Sequence, residues 1–293
     1  MESKAINHES SRARWQAYRR RPLSLLLRLA VTVSAAITVF VLIALVAYIL
    51  IKGIPNLRPS LFAWEYTSEN ASMLPAIINT ITMTVLSLLM AVPVGICSAI
   101  YLVEYAKRGN KLVSLVRITA ETLQGIPSIV YGLFGFLFLV VACKFGYSLL
   151  SGAITLAIMI LPLILRTTEE ALKAVPDLYR EGSFGLGAGR LRTVFRIVLP
   201  SAVPGILAGV ILAIGRIVGE TAALIYTSGT VAGVPDTLMG SGRTLAVHMY
   251  ALLSNGLYTE EAYATAVVLL VMVIGINALS GWLAKKVSAK QGE

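Results

Sequence analysis

The chain has 293 residues, 57% hydrophobic and only 14% charged, whereas soluble domains carry about 25% charged residues. That composition excludes a soluble globular protein and describes a polytopic membrane protein with no polar stretch long enough for a separate domain. The net charge of +10 sits beside apolar segments, not in a nucleic-acid-binding patch, and the scattered Cys97, Cys143, His8 and His248 give no metal site or disulfide framework, so no metal or cofactor is expected.

Residues 1–27 read as a basic arm, with Lys4, Arg12, Arg14, Arg19, Arg20 and Arg21 interleaved with Trp15 and Tyr18. Such an arm is drawn to anionic lipid headgroups. The apolar run 28–51 is long enough to cross a bilayer, which takes about 20 residues, and too long for a signal-peptide core. Residues 52–73 form a polar linker with Pro55, Pro59 and Trp64. A core over 74–284 then holds five further spans. The second span covers about Leu74–Leu102, with a kink expected at Pro93 and Gly95. A charged turn from Glu104 to Lys111 leads to the third, about Leu112–Cys143. Arg117 and Glu121 are placed there as an i,i+4 pair. Gln124, Gly125, Pro127 and Ser128 make a polar-lined bend, either a packing kink or a wall of a pathway. The fourth span, about Ser148–Leu165, ends at Arg166. The fifth is read as one helix, about Pro204–Thr227. A Gly-rich connection over 228–259 contains Pro235, Asp236, Arg243 and His248. The sixth span covers about Glu261–Leu283, and a tail over 285–293 carries Lys285, Lys286 and Lys290.

Lys and Arg favour the cytoplasmic side of membrane proteins. With six spans and both termini cytoplasmic, the outer side holds only Lys52, Arg58, Lys144 and Arg243, and the loop 167–200 lies inside.

That loop is the most distinctive stretch. Leu178, Tyr179, Phe184, Leu186, Leu191, Val194, Phe195, Ile197 and Val198 recur at helical spacing, with Arg180, Arg190, Arg192 and Arg196 between them. The pattern predicts a short amphipathic helix from Pro176 and Asp177, a stop at Gly187, and a second amphipathic helix running into Pro200. Glu181-Gly182-Ser183, three residues, Gly187, nine residues, then Ile197-Val198-Leu199-Pro200 resembles the cytoplasmic coupling loop of ABC-type importer permeases. Gly-Ser stands where that family carries Ala-Ala. The resemblance implies that Glu181, Gly182, Ser183, Gly187, Ile197, Leu199 and Pro200 couple the membrane bundle to a separate ATPase.

Arg216 and Glu220 lie four apart in the fifth span, beside Gly215 and Gly219. An arginine at mid-membrane costs about 2.5–3.5 kcal/mol on insertion scales, so the pair must face the bundle interior or a water-filled cavity. Arg216 is a candidate oxyanion ligand, since a guanidinium matches phosphate bidentately. Glu220 is its expected competing partner and Arg166 a receiver at the inner end. Read structurally instead, the pair is a static link between helices and Arg166 an interface anchor.

Gly125-Ile-Pro-Ser-Ile-Val-Tyr-Gly-Leu-Phe, Glu170-Ala-Leu-Lys-Ala-Val-Pro-Asp, Leu199-Pro-Ser-Ala-Val-Pro-Gly and Arg216-Ile-Val-Gly-Glu-Thr-Ala-Ala resemble the permease A subunits of bacterial phosphate-specific ABC importers. The resemblance implies an all-α type I importer permease in the bacterial inner membrane, not itself an enzyme. It also implies a homologous second permease, two ATPase subunits, a periplasmic phosphate-binding protein, and inorganic phosphate as cargo. The chain has no Gly-x-x-x-x-Gly-Lys-Ser/Thr loop, so ATP hydrolysis belongs to a partner. An ABC permease for another small substrate and a secondary transporter are the alternatives.

Overall fold

The computed structural model describes residues 22–107 and 109–289. The arm up to Arg21, Arg108 and the tail from Lys290 lie outside the described residues. Among the described residues all regular structure is helical, in two compact units, Met1–Ile51 and Lys52–Glu293.

In the first unit, helix α1 covers Pro22–Gly53. It begins earlier than expected, with the proline in the first turn, where a missing N–H costs nothing. Leu, Ile, Val and Phe are exposed on all its sides, Phe40 at 71%. A helix apolar all round belongs in lipid.

The second unit contains α2 Leu74–Ile100, α3 Lys111–Gln124, α4 Ser128–Gly135, α5 Leu149–Lys173 and α6 Asp177–Gly185. Then follow α7 Arg190–Thr193, α8 Leu199–Val218, α9 Ala222–Thr227, α10 Leu245–Ser254 and α11 Thr259–Ala289. Three wider π-helical turns extend these elements, at Tyr101–Tyr105, Phe136–Ala142 and Val194–Val198. The last joins α7 to α8 just before Pro200. A proline cannot donate to the carbonyl four residues back, and a π turn absorbs that mismatch without breaking the helix.

Helix α5 is the axis of the core. Leu156, Met159, Ile160 and Ile164 are buried on it, with Met83 and Ala91 of α2, Ala213 and Ile217 of α8 and Leu224 of α9 around them. Lipid tails are as apolar as leucine, so helices here hold together by close van der Waals contact, which small residues permit. Gly95 packs on Ile164 and Gly209 on Thr167 so tightly that neither position has room for a Cβ atom.

Two spans are broken. The third bends by 103° between α3 and the helix that α4 starts, at Gly125-Ile126-Pro127, as the sequence foretold. The fifth departs from expectation at both ends: one rod runs from Arg190 to Val218, and Gly219-Glu220-Thr221 interrupts it before α9. The segments beyond the two breaks pack on each other. A Cβ on Gly132 would lie 2.7 Å from the Ala223 Cα, and one on Gly135 would lie 2.7 Å from the Thr227 Cγ2. Helix α10 was not expected, because its connection reads as Gly-rich loop.

Overpacking a tight contact costs about 1–3 kcal/mol. Gly132→Val is therefore expected to lower the thermal midpoint of the detergent-purified protein by several degrees. Gly125→Ala, whose added methyl meets its nearest atom at 3.5 Å, is expected to leave it within a degree or two. Fluorescence-detected size exclusion after heating measures both.

Candidate functional site

The loop 177–198 folds into α6, a turn at Gly187 and α7 leading into α8. Gly187 has φ +82°, a left-handed value that glycine adopts without a Cβ penalty. Ser183 and Thr193 are buried and hydrogen-bonded to each other at 2.8 Å, which clamps α6 to α7. Of the expected coupling residues, Glu181, Gly182 and Gly187 are exposed, Ile197, Leu199 and Pro200 half-buried, and Ser183 turned inward. Leu178, Tyr179, Phe184, Leu186 and Leu191 are exposed, Leu186 at 92%, among the exposed charges of Glu181, Arg190, Arg192 and Arg196. Exposed apolar side chains grouped on one short segment suit a protein contact.

Arg180 fastens this segment to the bundle. It donates to Glu104 at 2.8 Å, to Asp177 at 3.0 Å, and to the carbonyls of Leu172 and Val175 at 2.9 and 2.8 Å. The Arg180 and Glu104 side chains are 14% and 9% exposed. Composition alone concealed this pair, because its members lie 76 positions apart.

Between α3 and α5 the charges pair both across the helices and along α5. Arg117 takes Glu169 of α5 at 2.6 Å, and Lys173 meets the same oxygen at 2.6 Å. Glu121 contacts Arg166 at 3.3 Å, and Arg166 also reaches Glu170 at 3.2 Å. The expected Arg117–Glu121 pair is thus replaced by two cross-helix contacts, because Arg166, Glu169, Glu170 and Lys173 form one face of α5 toward α3. That i, i+3, i+4, i+7 spacing was the available signal. The six side chains line a cleft of about 210 Å³. Arg166 lies on a helix that continues to Lys173, and two carboxylates hold it.

Arg216 sits half-buried in the last turn of α8. Glu220 lies in the break just beyond and is 9% exposed. The break removes the i,i+4 register, and no acidic side chain among the described residues is within ion-pairing distance of Arg216. Glu220 instead accepts a hydrogen bond from the Ala223 N–H at 3.1 Å and so caps the start of α9. Tyr131 of α4 is within electrostatic range of Arg216 and donates to the Leu123 carbonyl at 2.8 Å. Gln124 donates to the Pro162 carbonyl of α5 at 3.0 Å. The helices beyond the bend of the third span and the break of the fifth pack on each other, and Arg216 ends α8 just before the second break. Among the described residues no cluster of His, Cys, Asp or Glu has metal-ligating geometry.

A family model described as the inner membrane component of binding-protein-dependent transport systems matches residues 91–291. A probable ABC transporter permease of Bacillus subtilis is 32% identical over 87% of this chain and 93% of its own length. Phosphate transport system permease proteins of Mycobacterium leprae and Pasteurella multocida are each 35% identical, the first over 69% of this chain and 67% of its own, the second over 77% and 81%. Among solved structures, a bacterial ABC transporter for import of the acidic polysaccharide alginate aligns with TM-score 0.60 at 18% identity, over 93% of this chain and 98% of that one. An inward-facing form of a methionine ABC transporter aligns with TM-score 0.58 at 20% identity, over 73% and 95%. These structural likenesses show the fold.

Breaking a buried ion pair from one side leaves an uncompensated charge and costs about 3–5 kcal/mol, whereas exposed pairs contribute about 0–1 kcal/mol. Glu104→Ala leaves Arg180 the exposed Asp177 carboxylate and two carbonyls, and is expected to destabilise the protein by about 1.5–3 kcal/mol, the worth of a hydrogen bond to a charged group, and to loosen α6, read as faster amide exchange over 177–186. Glu121→Gln, whose carboxylate is 70% exposed, is expected to change stability by under about 1 kcal/mol.

Proposed function

The chain belongs to the family of inner membrane components of binding-protein-dependent transport systems, and on that premise we propose that it forms half of the translocation pathway of an ATP-driven importer of inorganic phosphate. It is a multi-pass inner-membrane permease subunit. Its family implies a second permease, an ATPase and a binding protein as partners. The phosphate assignment rests on the phosphate permeases among its relatives and on one feature of its own, an arginine inside a span with no carboxylate among the described residues to neutralise it.

Arg216 is the proposed anion ligand. A half-buried cation beside the break interacts with an oxyanion more strongly than it would in water, and its planar fork gives two parallel hydrogen bonds. Glu220 contributes by capping α9, which keeps the break open. Its carboxylate stays four positions from Arg216 in sequence but is committed to the Ala223 N–H. Arg166, already shared between Glu121 and Glu170, holds a departing anion weakly, since any anion there competes with two carboxylates.

Coupling follows from the rod. The ATPase seats on the exposed face of α6 and α7, and its closure moves that face. From Arg190 to Arg216 the chain is one continuous helix. At 1.5 Å per residue the two arginines are roughly 40 Å apart. A tilt imposed at the coupling end therefore reaches Arg216 without passing through a flexible joint. Alternation between outward and inward openings is the movement this lever serves.

Labelled phosphate uptake in cells lacking the protein tests the reading. Wild type is expected to restore uptake, and Arg216→Gln to lower it at least tenfold while still co-purifying with the ATPase. Full uptake by Arg216→Gln removes the arginine from the pathway. Absence of phosphate uptake with wild type rejects phosphate as the cargo and leaves the permease fold untouched.

A further inference from the structure

A second arginine without a carboxylate lies at the other end of the bundle. Arg243, in the connection before α10, is 6% exposed. Its Nε and Nη2 are buried without a hydrogen-bond partner. No acidic side chain among the described residues is within ion-pairing distance. Glu65, Glu69 and Asp236, the acidic residues of the neighbouring loops, are exposed to solvent. The guanidinium lies 4.6 Å from the centre of the Tyr66 ring. The same ring meets His248 edge-on, 6.1 Å between centroids. His248 is 0% exposed, and neither of its ring nitrogens makes a well-formed hydrogen bond.

The surroundings are built, not loose. Asn79 of α2 donates to the carbonyls of Gly233 and Arg243 at 3.0 and 3.2 Å. Thr80 accepts the Leu245 N–H at 2.8 Å. These bonds fix the chain on either side of Arg243. Tyr66 is held by a turn in which Asn70 accepts from the N–H groups of Thr67 and Ser72, at 2.9 and 3.0 Å, and donates to the Glu65 carbonyl at 2.9 Å. Leu61, Ala71 and Met73 of the linker pack with Leu245 and Leu252 of α10.

A buried cation is unfavourable unless it is paired and hydrogen-bonded. The Tyr66 face offsets part of that cost but accepts no N–H bond in the guanidinium plane. What is left over is a pair of donors on Arg243, beside a histidine that burial, then Arg243, hold neutral by lowering its pKa to about 3, with the Ala71 backbone opposing. A neutral imidazole offers one donor and one acceptor. Donors in a fork together with one acceptor suit an oxyanion that still carries a proton.

We propose that Arg243 and His248, closed over by Tyr66, bind a protonated oxyanion, inorganic phosphate, at the end of the bundle opposite the coupling segment. The anion class comes from this geometry. The choice of phosphate rests on the function proposed above. The site is a first stop for cargo before Arg216, and Tyr66 is its lid.

Hydrogen exchange of the assembled wild-type transporter in nanodiscs tests this without any substitution. Millimolar inorganic phosphate is expected to slow exchange in residues 64–72 and 243–250, and sulfate at equal ionic strength to do so less. In a radiolabelled-phosphate binding assay, Arg243→Gln is expected to weaken binding at least tenfold. No protection of these segments by phosphate, in a protein that takes up phosphate in cells, overturns the site alone. Binding undiminished in Arg243→Gln overturns it too. Equal protection by sulfate supports the anion site and overturns the role of the proton. Protection by another anion, in a protein that takes up no phosphate, supports the anion site and overturns phosphate as its ligand and as the cargo.

Discussion

Inside a bilayer no water is at hand to satisfy a backbone N–H or C=O that leaves its helix, and each one left bare costs several kcal/mol. A span can be broken only where protein surrounds the break. This chain breaks two spans and brings the breaks together. Pro127 and Gly125 end α3, Gly219 ends α8, and the segments that follow stack through Gly132 and Gly135 against Ala223 and Thr227. The polar groups released at each break find partners next to it: the Leu123 carbonyl takes the Tyr131 hydroxyl, and the Ala223 N–H takes Glu220. Arg216, half-buried in the last turn of α8, lies next to the second of these breaks.

The same packing decides what moves. Helices α6 and α7 are clamped by the Ser183–Thr193 bond and by Arg180 on Glu104, while the Val194–Val198 turn carries the helix past Pro200 unbroken. The coupling end and the break at Gly219 are therefore two ends of one stiff element. On the proposed reading, force enters at the exposed end of α6 and α7 and arrives where the helix has lost its hydrogen-bond ladder. A discontinuous helix yields there more readily than within the rod, whose helix continues through the π turn and its prolines without a gap.

Much of this was legible in the residues. Apolar runs of bilayer length gave the spans, and Gly187 and Pro200 marked the turn and the second helix of the loop 177–198, because both are local patterns. Gly125 and Pro127 announced the first break for the same reason. The second was hidden: Gly219-Glu220-Thr221 sits in an apolar run without proline, and its geometry comes from Glu220 turning to Ala223. Arg117 and Glu121 satisfied the rule for an intrahelical pair, yet α5 presented better-placed partners, a choice that local spacing cannot reveal. The Arg243–His248–Tyr66 cluster was equally hidden, since it joins a linker, α2 and a Gly-rich connection with no periodicity between them.

The cations of the bundle fall into two groups, and the division bears on transport. Arg117, Arg166, Lys173 and Arg180 each have a carboxylate at 2.6 to 3.3 Å. Among the described residues, Arg216 and Arg243 have none. A paired cation offers an incoming anion only the difference between two similar interactions, so it binds weakly and releases quickly. An unpaired one in a low-dielectric setting offers nearly its full attraction. On the proposed reading, capture belongs to Arg243 and Arg216, and release to the network between α3 and α5. The net charge along the route then declines in the direction of import without any change in the number of basic residues, because the carboxylates, not the arginines, set the gradient.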